Sequence, residues 1–114
     1  MKYDPEGTGA APEDLLVRRG KSWETSRRLA NQAQKAEDAG LGYGVSVTSP
    51  ESNEAFARDP SDAVAATRKD LEQAGFVVVY TPAKYDLDHH TVLLPKPLTD
   101  AVVAKYNAAF GRTK

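Results

Sequence analysis

The sequence predicts one small α+β domain, in which a three- to four-stranded mixed sheet carries two to three packed helices. The chain has 114 residues, the usual size of a single domain. Segments with strand-like alternation of apolar and polar residues are interspersed with segments of helical periodicity. Glycines and prolines separate these segments. The predicted order of elements is β-α-β-α-β-β-α.

The N-terminal stretch predicts a flexible leader over residues 1–13 and a single globular domain over 14–114. The leader contains two prolines and two glycines and shows no apolar period. Leu15–Val17 is a short apolar run that favours a strand. We therefore place the first strand directly after the leader.

A helix is predicted over residues 23–39. Ser22 can cap its first turn, and Gly40 provides the left-handed conformation that ends a helix. One predicted side is lined mainly by alanine, so the helix can pack close to a sheet; it comprises Trp23, Ala30, Ala33 and Ala36. The next strand is predicted over residues 43–49, where β-branched residues alternate with small ones.

The second half of the chain predicts a helix, a hairpin and a last helix. Ser61 can cap a helix whose buried stripe is Val64, Thr67, Leu71 and Ala74, and Gly75 ends it. The apolar run 76–80 and the segment 90–94 predict two strands in an antiparallel hairpin. Thr99 caps the last helix, in which apolar and aromatic residues recur at helical spacing.

Composition excludes several classes of protein. Fifteen basic and sixteen acidic residues give a net charge of −1, which draws the chain to neither nucleic acid nor an anionic membrane. The absence of cysteine excludes disulfides, thiolate zinc sites and cysteine nucleophiles. The longest apolar run, Phe76–Tyr80, is far too short to cross a bilayer. We expect a cytoplasmic protein with no cofactor and no metal.

A basic cluster precedes the first predicted helix and is a candidate anion site. Arg18, Arg19 and Lys21 surround the predicted helix N-terminus at Ser22, where free amide groups attract anions. Gly20–Ser22 also matches the end of a phosphate-binding loop, but Leu15 stands where that motif requires glycine. A solvated basic edge is the competing interpretation.

Adjacent histidines follow an acidic turn at the start of the last predicted strand. Asp88 and His90 are the candidate catalytic pair, since a histidine can act as general acid or base. Strand alternation directs His89 and His90 to opposite faces, which argues against a metal site made by this segment alone. A turn with partly exposed histidines is the alternative.

Three features taken together resemble small ADP-ribosyltransferase-like domains. They are the basic strand end Val17–Gly20, the helix that follows it and the Ser/Thr-rich strand Val45–Ser49. The resemblance implies a nucleotide held near Arg18 or Arg19 and oriented by Ser46 or Thr48. The chain has no Glu-x-Glu pair at the later strands, where such enzymes place their catalytic acid, and exposed serines and threonines also fit an ordinary strand face.

Two functional classes follow. The favoured one is a small protein-interaction module without catalytic activity, which binds a protein partner or a second copy of itself. The alternative is a compact transferase or hydrolase acting on a nucleotide or phosphate substrate. A pocket shared by the arginines, the Ser/Thr strand and the Asp/His strand end would favour the enzyme.

Overall fold

The computed structural model describes residues 13–19, 25–50, 63–82 and 88–110, which form five strands and three helices. The strands are β1 (Leu15–Arg19), β2 (Gly44–Val47), β3 (Ala63–Thr67), β4 (Val77–Tyr80) and β5 (His90–Leu93). The helices are α1 (Ser26–Asp38), α2 (Arg68–Gln73) and α3 (Asp100–Ala109). The predicted α+β class is confirmed, with one strand more than expected.

All strand pairings in the described part of the chain are antiparallel. β1 pairs with β3 in one sheet, and a second sheet has the order β2-β5-β4. The hairpin of β4 and β5 is confirmed, whereas the expected mixed sheet with parallel neighbours is wrong. The two sheets are linked at one place, where the main chains of Val17 and Thr48 exchange hydrogen bonds of 2.7 and 3.0 Å.

The additional strand lies where the sequence predicts the first half of a helix. Val64–Ala66 pair with β1 and are buried, so pairing across the sheet overrides the helical spacing of the apolar residues. Thr67 then caps α2, because its hydroxyl accepts from the Asp70 amide and the Asp70 carboxylate accepts from the Thr67 amide. The proposed cap at Ser61 lies outside the described residues.

Helix α1 begins later than the sequence predicts. Thr25 is its cap, with the hydroxyl accepting a 3.2 Å hydrogen bond from the amide of Arg28. The buried residues are Leu29, Ala33 and Ala36, so Ala33 and Ala36 of the predicted side are confirmed, whereas Ala30 is only half-buried and Leu29 was not predicted. The expected cap at Ser22 and the leader over residues 1–12 lie outside the described residues.

The helices bury one face of the sheets in a common core. Val45, Val47, Val78 and Val92 belong to this face. Helix α3 contributes Tyr106, whose ring packs at 4.8 Å from Phe110 and edge-on at 6.2 Å from Phe76, as its helical spacing predicts. Within the described ranges, no helix is long and apolar enough to cross a membrane.

Candidate functional site

A groove opens where β1 and β2 diverge. The two strands exchange main-chain hydrogen bonds only between Val17 and Thr48, and they belong to different sheets on either side of that bridge. Helix α1 packs on β2 beside the opening. The resulting open groove has a volume of about 460 Å³. Its described lining residues are Arg18, Gln32, Lys35, Ala36, Ala39, Leu41 and Ser46.

Helix α1 presents one side to this groove. Gln32, Lys35, Ala36 and Ala39 follow the i, i+3, i+4, i+7 spacing that brings residues onto one helix face. This side therefore combines the polar groups of Gln32 and Lys35 with the small side chains of two alanines.

Arg18 is the deepest charged group of the groove. Only 8% of its surface is exposed, and its Nη2 donates a 3.0 Å hydrogen bond to Oε1 of Gln32. Its guanidinium also lies 5.9 Å from the ring centroid of Tyr106. A cation fixed at the edge of the core acts through a lower dielectric than a solvated one, so its field reaches into the groove.

Lys35 adds a second positive charge. Its side chain is exposed and forms no ion pair with a described residue. Lys96 is different, because it donates a 2.9 Å hydrogen bond to Glu37, whose pKa is lowered by that contact. Glu37 lies on the other side of α1, and no described lining residue is acidic. The described lining of the groove is therefore cationic, although the whole chain is nearly neutral.

Ser46 forms the wall opposite the helix. It is exposed, whereas its neighbours Val45 and Val47 point into the core, as strand alternation requires. Its side chain thus projects from the face of β2 opposite the one on which α1 packs, and the residue borders the groove that also contains Arg18. The sequence predicted both residues as part of one site.

His90 lies in the core and does not line the groove. It is 3% exposed, its Nδ1 donates a 2.7 Å hydrogen bond to the main-chain carbonyl of Asp88, and its ring lies 5.1 Å from that of Tyr80. Burial lowers the pKa of His90, and the nearby positive charge of Arg68 acts in the same direction. A histidine so enclosed does not reach a substrate at the surface.

Asp88 and His89 also have local partners. The Asp88 carboxylate accepts a 2.8 Å hydrogen bond from the hydroxyl of Ser49. His89 Nδ1 lies 2.8 Å from the Thr81 hydroxyl and 2.9 Å from the Thr81 carbonyl, and the buried hydroxyls of Thr81 and Thr91 are 2.9 Å apart. These contacts stabilise the end of the hairpin. In the described residues, no group of three potential ligands is placed to hold a metal ion.

The proposed constellation is therefore only partly assembled. Arg18 and Ser46 meet in the groove, while Asp88 and His90 are not among its described lining residues. Thr48 forms the bridge between the sheets instead of lining the groove. The side chain of Arg19 and residues Lys21 and Ser22 lie outside the described part of the structure.

Two groove residues, Gln32 and Lys35, were missed from the sequence. Both lie in a helix whose polar residues read as a uniformly solvated surface. That Gln32 and Lys35 share a side of the helix beside the groove follows only once the core-facing residues are known. These are Leu29, Ala33 and Ala36. Comparison of the chain with models of protein families, with curated proteins and with solved structures found no significant match.

Proposed function

We propose that this chain is a non-catalytic interaction module that binds an acidic segment of a protein partner in the groove between β1 and β2. The observation that carries the proposal is the convergence of Arg18, Lys35 and Ser46 on one open groove with no described acidic lining residue. Complementary charge steers a partner to such a surface and fixes its orientation.

The placement of the candidate catalytic residues supports a binding role over an enzymatic one. General acid–base catalysis requires a titrating group within hydrogen-bond reach of the substrate. His90 is enclosed in the core, and the Asp88 carboxylate is held by Ser49. The groove itself contains cations, amide and hydroxyl groups, which hold anions without transferring protons near neutral pH.

A nucleotide or phosphate ligand is the second candidate, because the same two cations attract a phosphate group. The composition of the groove favours the acidic protein segment. No aromatic residue is among its described lining residues, so a base has no ring on which to stack. Ala36, Ala39 and Leu41 instead offer small apolar surface to aliphatic side chains.

Calorimetric titration tests the proposal with defined probes. The peptide acetyl-Glu-Val-Glu-Val-Glu-amide is compared with its lysine counterpart, with ATP and with inorganic phosphate at the same ionic strength. We expect measurable binding of the glutamate peptide and none of the lysine peptide. Tighter binding of ATP or phosphate than of the glutamate peptide would favour the second candidate.

A matched pair of variants locates the binding. Lys35→Glu reverses a charge in the groove, whereas Lys105→Glu makes the same change on an exposed face of α3. We expect Lys35→Glu to weaken peptide binding about 3- to 10-fold, as reversal of an exposed charge pair does. Lys105→Glu should leave the affinity within about twofold. Equal losses in the two variants would contradict a site at the groove.

A further inference from the structure

We infer that the groove selects a segment in which an acidic and an aliphatic residue are two positions apart, because one end of the groove is cationic and the other is apolar. This inference rests on the proposed function and specifies the chemistry of the partner segment. In an extended segment the side chains of residues i and i+2 project on the same side, about 7 Å apart, so both can enter one groove.

The cationic end lies beside the middle of α1. Gln32 holds the guanidinium of Arg18 there, through the 3.0 Å hydrogen bond from Nη2 to Oε1. Lys35 follows Gln32 by three residues on the same helix face and has an exposed side chain. A fixed guanidinium and a flexible ammonium group together form a subsite for a carboxylate.

The apolar end lies at the C-terminus of α1 and is built by the turn that ends the helix. Gly40 has a φ of 83°, its amide donates to the carbonyl of Glu37 at 3.0 Å, and the amide of Leu41 donates to the carbonyl of Ala36 at 2.9 Å. This pair of hydrogen bonds is a Schellman motif, which brings the residue after the glycine back beside the last turns of the helix. Leu41 therefore lines the same end of the groove as Ala36 and Ala39.

Ala39 is the accessible residue of this apolar end. It is exposed, whereas Ala36 and Leu41 are almost completely buried. An aliphatic side chain that covers Ala39 removes apolar surface of both partners from water, which stabilises the complex.

The C-terminus of α1 disfavours a second acidic side chain at the apolar end. The helix dipole leaves partial negative charge on the last carbonyl groups of the helix. Lys96 offsets the charge of Glu37, whereas the Asp38 carboxylate accepts a hydrogen bond from the uncharged side chain of Gln34. The carboxylate of the segment is therefore directed to the cationic end, and an uncharged side chain is favoured beside Ala39.

The separation of the two ends fits residues two positions apart. An α-helix rises 1.5 Å per residue, so the midpoint of Gln32 and Lys35 lies about 6 Å along α1 from the midpoint of Ala36 and Ala39. This length is close to the i to i+2 distance of an extended chain. The side chain of a residue next to the acidic one projects to the other side of the segment and away from α1.

Two peptides of identical composition test this spacing. In acetyl-Leu-Thr-Glu-Thr-Leu-amide both leucines are two positions from the glutamate, and in acetyl-Thr-Leu-Glu-Leu-Thr-amide both are adjacent to it. The symmetric arrangement makes the comparison independent of chain direction, and threonine favours an extended backbone in both. We expect the first peptide to have an about 5-fold lower dissociation constant in an NMR titration, the gain from burying part of one leucine.

A matched pair of variants locates the leucine. Ala39→Asn places a polar group at the apolar end of the groove, whereas Ala108→Asn makes the same change at an exposed position of α3. We expect the ratio of the two dissociation constants to fall below about twofold in Ala39→Asn and to remain about 5-fold in Ala108→Asn. A ratio that persists in Ala39→Asn would overturn the apolar end as the leucine site.

The outcomes separate this inference from the proposed function. If the two peptides bind the unsubstituted chain within twofold of each other, and Lys35→Glu still weakens both, the spacing is overturned while the groove remains the site. If neither peptide binds more tightly than acetyl-Leu-Thr-Gln-Thr-Leu-amide, which lacks the carboxylate, both proposals fail. The peptide comparison on the unsubstituted chain decides the question should Ala39→Asn not fold.

Discussion

At the scale of single residues, Arg18 differs from the solvated member of a basic cluster that its sequence neighbours indicate. The sequence places it in a run of cations beside a predicted helix N-terminus. In the structure its side chain lies along the edge of the core, where Gln32 and Tyr106 hold the guanidinium. These two partners belong to the body of α1 and to α3.

Burial of His90 makes the free energy of unfolding decrease as the pH falls. Its pKa is lowered in the folded protein, so the unfolded chain takes up a proton first as the pH falls below about 6.5. The contribution of His90 is complete above that pH and is lost below it. We expect the free energy of unfolding to fall between pH 7 and pH 5.5 by up to about 1.4 kcal/mol per pH unit.

Chemical denaturation of His90→Phe over the same pH range measures this contribution. The phenyl ring retains the contact with Tyr80 but does not titrate, so the variant should show a flatter dependence than the unsubstituted chain. The unsubstituted chain, measured under the same conditions, is the reference. An unchanged slope in His90→Phe would contradict the account of a histidine held neutral by burial.

At the scale of elements, close approach of β2 and β5 depends on Gly44. A Cβ atom built at this position would lie 2.2 Å from the carbonyl oxygen of Val92, which belongs to the main chain of β5 and is not free to rotate away. Gly44 therefore allows the two strands to pair where a side chain would separate them.

We expect Gly44→Ala to lower the free energy of unfolding by about 3 kcal/mol, the upper part of the range for overpacking. Ser46→Ala, two residues along the same strand and exposed, should change it by no more than about 0.5 kcal/mol. Urea denaturation of both variants gives the comparison. Similar stabilities of the two variants would show that β2 accommodates a side chain at residue 44.

The elements that were predicted well are those whose signals are local. Glycine at residues 40 and 75 takes the positive φ that ends a helix, at 83° and 98°, and Thr99 caps α3 as expected. β3 was missed because Val64 fits both a helical stripe and a strand. Only its pairing with Arg18 of β1, far away in sequence, decides between them.

At the scale of the whole molecule, the groove results from incomplete closure of two sheets. Its walls come from β1, α1 and β2, which are separate in the chain, and the described parts of the two sheets are joined by the main-chain bridge of Val17 and Thr48. Residue types predicted a site with Arg18 or Arg19 and with Ser46 or Thr48, and Arg18 and Ser46 both line this groove. Periodicity along the chain did not predict that Lys35 lines the groove or that Asp88 and His90 lie away from it. It carries no information on the distances between elements.

The mapping of amide chemical shifts by NMR during titration with acetyl-Glu-Val-Glu-Val-Glu-amide tests the groove most directly as the binding surface. We expect saturable shifts concentrated at Arg18, Lys35 and Ser46, which at the same sub-saturating peptide concentration are about 3- to 10-fold smaller in Lys35→Glu and unchanged in Lys105→Glu. Shifts concentrated at Asp88 and His90, or a response identical in the two variants, would contradict this expectation.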